Sequence, residues 1–193
     1  MNTNEFALNL LAGRTVECAV KDALRTRYGV IATGSIATGN RNGPRMENNG
    51  AGVVLADLQL QRGARAGWVE IKAKSASNHY YTWQRDEHGI DAAKHADYCR
   101  LQAESERPVY LLICEFSTGD LLMQSLPTLR STGRPRVGNL YNRQMINWDR
   151  SAFVRIGSLA IPGEDLRRLS ITIDWPIFET FITQPMLIET GAL

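Results

Sequence analysis

Two strand-like segments that carry acidic side chains constrain the fold of this chain more than any other feature. Segment 53–60 contains Asp57, and segment 68–72 contains Glu70 and Lys72. A charge in such an apolar run is costly unless it is paired or binds a cation. Alternate side chains of a strand share a face, so Glu70 and Lys72 lie on the same side. A glycine-flanked turn between the segments would bring Asp57 beside them, which gathers two carboxylates and an ammonium group at one sheet edge.

The composition is that of one ordinary folded domain. The 193 residues are 44% hydrophobic and 22% charged, enough for a substantial core. The net charge of +2 is too small to indicate nucleic-acid binding, although arginines cluster over 41–65 and 130–143. The three cysteines are far apart and predict reduced thiols. The chain begins without a signal-peptide pattern and contains no apolar run of membrane-spanning length, so we expect a cytoplasmic protein with no membrane partner.

Hydrophobic periodicity predicts alternating helices and strands. The predicted elements are a helix over 4–27, a loop over 32–51, strands over 53–60 and 67–74, a helix over 90–106 with Asp91 as its cap, a buried central strand over 108–116 and a strand over 121–126. Glu17 lies at the margin of the first helix's buried stripe. This order indicates an α/β or α+β fold with a central sheet flanked by helices.

The C-terminal part of the chain is unusually apolar. A short helical piece near 165–169 and a strand over 170–175 precede an apolar tail over 177–193. We expect residues 1–160 to form one domain. Residues 161–193 are then an extension that packs on that core or on another subunit.

Together these residues resemble the PD-(D/E)XK nuclease superfamily. The resemblance covers residues 11–116 and is carried by Glu17 on a helix, Asp57 on a strand and Glu70-Ile71-Lys72 on the next strand, before a helix and a strand. Within the superfamily, the chain is similar to small Holliday-junction resolvases and to phage or VRR-type nucleases. Ala56 stands where the family's name has proline. The resemblance implies a restriction-endonuclease-like core, with a mixed sheet flanked by helices in the order αβββαβ.

The resemblance also implies a metal site and a mechanism. Asp57, Glu70, the backbone carbonyl of Ile71 and Glu17 would hold Mg²⁺, which prefers oxygen ligands, and Mn²⁺ would substitute for it. Lys72 would position the attacking water and offset charge in the transition state. Carboxylates this close predict at least one raised carboxyl pKa in the metal-free protein.

Other polar residues have two interpretations each. Gln84 either reaches the metal-bound water or the scissile phosphate, or is an ordinary loop residue. His79, His88 and His95 either contact DNA or take part in acid–base chemistry, or they are ordinary surface residues. The aromatic stretch over 80–83 either stacks on bases or packs in the core. The candidate nucleic-acid-binding residues are Arg41, Arg45, Arg62, Lys74 and Ser75.

These observations favour a Mg²⁺-dependent DNA endonuclease of phage or bacterial DNA processing, with RNA left open as a substrate. Structure-selective cleavage such as Holliday-junction resolution would need two sites, so we expect a homo-oligomer and favour a dimer. The alternative is a non-catalytic nucleic-acid-binding or assembly subunit with a nuclease-like fold. A third hypothesis is a sequence-specific restriction-type enzyme. At the residue level, the competing interpretation of Glu70 and Lys72 is a plain ion pair on an exposed strand.

Overall fold

The computed structural model describes residues 3–32, 45–48, 51–80, 84–137 and 144–183. Its helices and strands are α1 (Thr3–Arg25), β1 (Gly29–Ala32), β2 (Arg45–Asn48), β3 (Ala51–Val54), β4 (Leu58–Arg62), β5 (Arg65–Lys74), β6 (Asn78–Tyr80), β7 (Arg85–Asp91), α2 (Ala92–Ser105), β8 (Val109–Glu115), β9 (Asp120–Ser125), α3 (Leu126–Arg130), β10 (Arg134–Val137), β11 (Gln144–Asp149), β12 (Val154–Ala160), β13 (Ser170–Ile173) and α4 (Trp175–Thr183).

The main sheet is mixed and has seven strands in the order β1-β4-β5-β8-β9-β12-β13. β5 and β8 are parallel, and the other neighbours are antiparallel. A parallel neighbour requires a crossover, and α2 lies in the connection between β5 and β8. In chain order the elements of this core are α1, β1, β4, β5, α2 and β8. The predicted α+β architecture and its αβββαβ order are confirmed.

A hydrophobic layer covers each face of the main sheet. On one face α1 and α4 pack on alternate strand residues such as Val69 and Ile71. On the other, Tyr98 and Leu101 of α2 pack on Trp68 and its neighbours. Strand β8 lies between the layers and is buried along its whole length, as its continuous apolar sequence predicts. The two faces of β5 therefore have different roles, since its odd-numbered residues 69 and 71 face α1.

A second sheet leads into α2. It has the strand order β10-β11-β7-β6, and β7 ends at Asp91, whose side chain accepts a hydrogen bond from the amide of Ala93 at 2.9 Å. The predicted helix cap is confirmed. The predicted helix start at Ile90 is wrong, because Ile90 is extended and pairs with Ile146 of β11.

The predicted strand over 53–60 is also wrong in one respect. It is interrupted at 55–57, where β3 has ended and β4 has not begun. Ala56 is fully buried at this break. The side chain of Asp57 accepts a hydrogen bond from the backbone amide of Ile71 on β5. The predicted loop over 32–51 contains strand β2, which pairs with β3; its part over 33–44 lies outside the described residues.

The C-terminal elements continue the same core. Strand β13 pairs with β12, and Phe178 of α4 is 1% exposed against Tyr28. The division at residue 160 stays a prediction, and 184–193 lie outside the described residues. Within the described ranges, no helix combines the length and the apolarity needed to cross a bilayer.

Candidate active site

The predicted acidic residues meet on the α2-facing side of β5. Glu70 and Lys72 point to that side, because they alternate with Val69 and Ile71 of the opposite layer. Asp57 comes from the break before β4, and β4 is the antiparallel neighbour of β5. Two segments of the chain, β5 and the break before β4, thus place their polar groups together before α1 and α2 add theirs.

Asp57 is fixed by the backbone of β5. Its Oδ2 accepts a hydrogen bond from the amide of Ile71 at 2.8 Å. Burial raises the pKa of Asp57 well above its usual range, the negative charges of Glu70 and Glu17 raise it further, and Lys72 and the Ile71 amide oppose this. A half-buried carboxyl group therefore lies beside other acids, in surroundings that disfavour its ionised form.

Glu70 and Lys72 form an ion pair at the centre of the site. Glu70 is 3% exposed, and its Oε1 contacts the Lys72 ammonium. The Lys72 side chain is 33% exposed. Burial pulls the pKa of Lys72 down, but the charges of Glu70, Asp57 and Glu17 outweigh it and raise the pKa above its usual value. The acidic side chains around Lys72 thus favour its protonated form.

Glu17 approaches from α1. It is partly buried between Val16 and Val20, which confirms its predicted position at the margin of the buried stripe. Burial raises the pKa of Glu17, Lys72 lowers it and Glu70 raises it again. The prediction of at least one raised carboxyl pKa is thus confirmed at Asp57 and at Glu17.

Tyr98 of α2 is a site residue that the sequence interpretation missed. It is 2% exposed, and its hydroxyl approaches the Glu70 carboxylate as a hydrogen-bond donor. Burial, followed by the charge of Glu70, raises the pKa of Tyr98. The available signal was a tyrosine in the apolar stripe of a helix, because a buried phenol hydroxyl usually requires a polar partner.

The donor chemistry fits a hard divalent cation. Carboxylate oxygens of Asp57, Glu70 and Glu17 are the ligands that Mg²⁺ and Mn²⁺ prefer. The charge of Glu70 disfavours the ionised form of Asp57, and a cation between the two would relieve that repulsion. Within the described part of the chain, no three His, Cys, Asp or Glu side chains already form a closed metal cluster. These carboxylates thus fit the predicted metal by their chemistry rather than as a preformed shell.

Several other predicted residues are not brought to this site. Gln84 is exposed at the start of β7, with a φ of 50°. Arg62 lies at the end of β4 away from Asp57, where it binds Glu179 at 2.5 Å and covers the ring of Tyr28. Arg41 and the side chain of Arg45 lie outside the described residues. The roles proposed for these side chains stay predictions.

The three histidines have other partners. His79 contacts Asp86 at 2.8 Å, and His95 packs near the Trp148 ring. His88 is 1% exposed and contacts Glu115 at 2.7 Å. Lys74 and Ser75, in contrast, directly follow the site at the end of β5. The side chains of 80–83 lie outside the described residues.

Comparison with known proteins gives structural likeness alone. No protein-family model matches the chain, and no curated protein matches it. Among solved structures, it is similar to Hjc, a Holliday junction resolvase from Archaeoglobus fulgidus, with 8% identity and a TM-score of 0.44 over 74% of this chain and 89% of that one. It is also similar to D212, a nuclease from a fusellovirus, with 8% identity and a TM-score of 0.44 over 81% of this chain and 89% of that one. At these values the likeness assigns neither family nor activity.

Proposed function

We propose that this protein is a divalent-metal-dependent nuclease that hydrolyses phosphodiester bonds of DNA. One observation carries the proposal: Asp57, held by the Ile71 amide, lies among the charges of Glu70 and Lys72 in a site that disfavours its ionised form. An ion pair on an exposed strand does not account for this, because Glu70 is 3% exposed and Asp57 adds a second acid. Buried, mutually repelling carboxylates are typical of sites that bind a cation.

In the proposed nuclease the acidic residues would bind the metal, and Lys72 would act on the phosphate and the water. Asp57, Glu70 and Glu17, with the carbonyl of Ile71, would hold Mg²⁺ or Mn²⁺. The bound ion would neutralise phosphate charge and acidify a water molecule. Lys72 is already protonated, so it stabilises negative charge that develops on the phosphate and orients the water by donating hydrogen bonds.

The finer parts of the proposal concern the substrate. DNA is favoured over RNA, and structure-selective cleavage such as junction resolution is the form that would require a symmetric dimer. The setting is then DNA processing in the cytoplasm of a bacterium or a phage-infected cell. The alternative role of a non-catalytic subunit is opposed by the raised pKa values of Asp57 and Glu17, since without a cation the burial of these acids costs stability.

The test compares Asp57→Asn with Asp22→Asn on plasmid, four-way-junction and single-stranded DNA, with Mg²⁺, Mn²⁺ or a chelator. The asparagine of Asp57→Asn can still accept a hydrogen bond from the Ile71 amide but lacks the charge, so we expect a loss on the order of 100-fold or more in the cleavage rate. Asp22 is 74% exposed on α1, and its variant should match the wild type. Cleavage that survives Asp57→Asn or the chelator, or no cleavage of any substrate by the wild type, would contradict the proposal.

A further inference from the structure

Lys74 is a partly buried ammonium group without an acidic partner among the described residues. It ends β5, and alternation puts its side chain on the same face as Glu70 and Lys72. No described residue forms a hydrogen bond or an ion pair with the Lys74 side chain. Burial lowers the pKa of Lys74, and the charge of Lys72 lowers it further. A partly buried cation beside another cation costs free energy, and an anionic ligand would offset that cost.

The nearest acid on the sheet does not supply that ligand. Glu115 is the register partner of Lys74 on β8, and its carboxylate is 1% exposed. Its Oε2 contacts His88 Nε2 at 2.7 Å and accepts from Arg150 Nε at 3.0 Å, while Oε1 accepts from Ser117 Oγ at 3.2 Å. Both oxygens of Glu115 are therefore already in use, which leaves the Lys74 ammonium uncompensated.

We propose that Lys74 forms a subsite for a backbone phosphate near the one that is cleaved. Residues two apart in a strand lie about 6.6 Å apart, which corresponds to two axial steps of about 3.4 Å between successive phosphates of one DNA strand. A strand of DNA whose scissile phosphate contacts Lys72 would thus present another phosphate close to Lys74. The inference rests on the proposed nuclease function and specifies how that site holds its substrate.

The experiment measures DNA binding, with Ca²⁺ in place of Mg²⁺ so that the DNA stays intact. The affinity for a short fluorescent duplex is measured between about 50 and 200 mM salt for the wild type, Lys74→Gln and Lys74→Arg. The control is Arg65→Gln, which removes an exposed charge from the other end of β5. We expect Lys74→Gln to weaken binding several-fold and to reduce the slope of log K against log salt by about 0.9, the value for one phosphate contact. Lys74→Arg should keep the slope, and Arg65→Gln should match the wild type.

Thermal unfolding separates this role from a structural one. If Lys74 awaits a phosphate, Lys74→Gln removes an uncompensated charge, and the thermal midpoint of the free protein should stay the same or rise. A lower midpoint, or a wild-type affinity and salt slope in Lys74→Gln, would overturn the subsite and leave the nuclease proposal standing. A wild-type protein that binds no DNA would overturn both.

Discussion

Glu70 is contacted from its own strand by Lys72 and from the following helix by Tyr98. The first contact is predictable, because residues two apart on a strand share a face. The second depends on how α2 packs over β5, which no local pattern specifies. Both hold a buried carboxylate in one orientation, and a metal ligand needs such support from its neighbours. In the proposed nuclease Tyr98 would therefore be a positioning residue, and its effect should appear in metal affinity and turnover.

Tyr98→Phe should separate positioning from simple packing. It removes only the hydroxyl that lies near Glu70, so we expect a loss of about 1 kcal/mol in the free energy of unfolding. We also expect a lower kcat, a higher Mg²⁺ requirement and little change in KM for DNA. Urea unfolding and steady-state cleavage at several Mg²⁺ concentrations measure these effects.

Tyr110→Phe is the matched control for Tyr98→Phe. Tyr110 is also a buried tyrosine, and its hydroxyl donates to the carbonyl of Phe181 at 3.2 Å, on the face of the sheet opposite Glu70. This variant should lose a similar amount of stability and keep the wild-type kcat and Mg²⁺ requirement. Equal effects of the two substitutions on turnover would mean that Tyr98 has only a structural role.

Among the elements, those with a continuous local pattern could be predicted from the sequence. α1, β5, α2 and β8 follow from helical periodicity, alternation or an unbroken apolar run, and together they carry Glu17, Glu70 and Lys72. The missed elements depend on distant partners. β7 is extended because it pairs with β11, far along the chain. At the break before β4, where β3 and β4 belong to different sheets, the Asp57 carboxylate accepts from the Ile71 amide. The acid-x-Lys strand was therefore predictable, whereas the local conformation at Asp57 was not.

Helix α4 offers a test of whether the C-terminal segment belongs to this subunit's core. Phe178 is 1% exposed and contacts the rings of Tyr28 and Trp175 at centroid distances of 5.5 and 5.8 Å. Phe178→Ala leaves a cavity and should cost about 3–5 kcal/mol in urea unfolding. Glu179→Gln removes surface ion pairs with Arg27 and Arg62 and should leave the stability close to that of the wild type. Wild-type stability in Phe178→Ala would contradict the packing of α4 on its own core.

At the scale of the whole molecule, the site exists only when the fold is complete. Its groups come from α1, the β3–β4 connection, β5 and α2, so the unfolded chain cannot gather them. Burial of Asp57 and Glu17 without a cation is a cost that the rest of the core offsets. Stability and pH are therefore coupled through these carboxylates, and the metal binding proposed above would be coupled to both.

The pH dependence of stability should reveal this cost. The pKa of Asp57 is raised on folding, so the folded protein binds that proton more tightly than the unfolded chain does. The resulting stability is fully present below about pH 4, which is the pKa of the side chain in the unfolded chain. It is lost as the pH rises through the folded pKa. Between the two pKa values the loss is about 1.4 kcal/mol for each pH unit. The Asp57→Asn variant has no carboxyl group at this position and therefore does not lose this stability as the pH rises. It should match the wild type near pH 3.5 and become the more stable protein toward pH 7.

Urea unfolding of both proteins between pH 3.5 and pH 8 measures that difference, and groups common to both, such as His88, cancel in it. Millimolar Mg²⁺ or Mn²⁺ at pH 7 should stabilise the wild type, because the ion binds the ionised carboxylates of the folded state alone. The same ion should leave the stability of Asp57→Asn nearly unchanged. A stability difference that does not vary with pH, or equal stabilisation of both proteins by the metal, would show that Asp57 is not an uncompensated buried acid that awaits a cation.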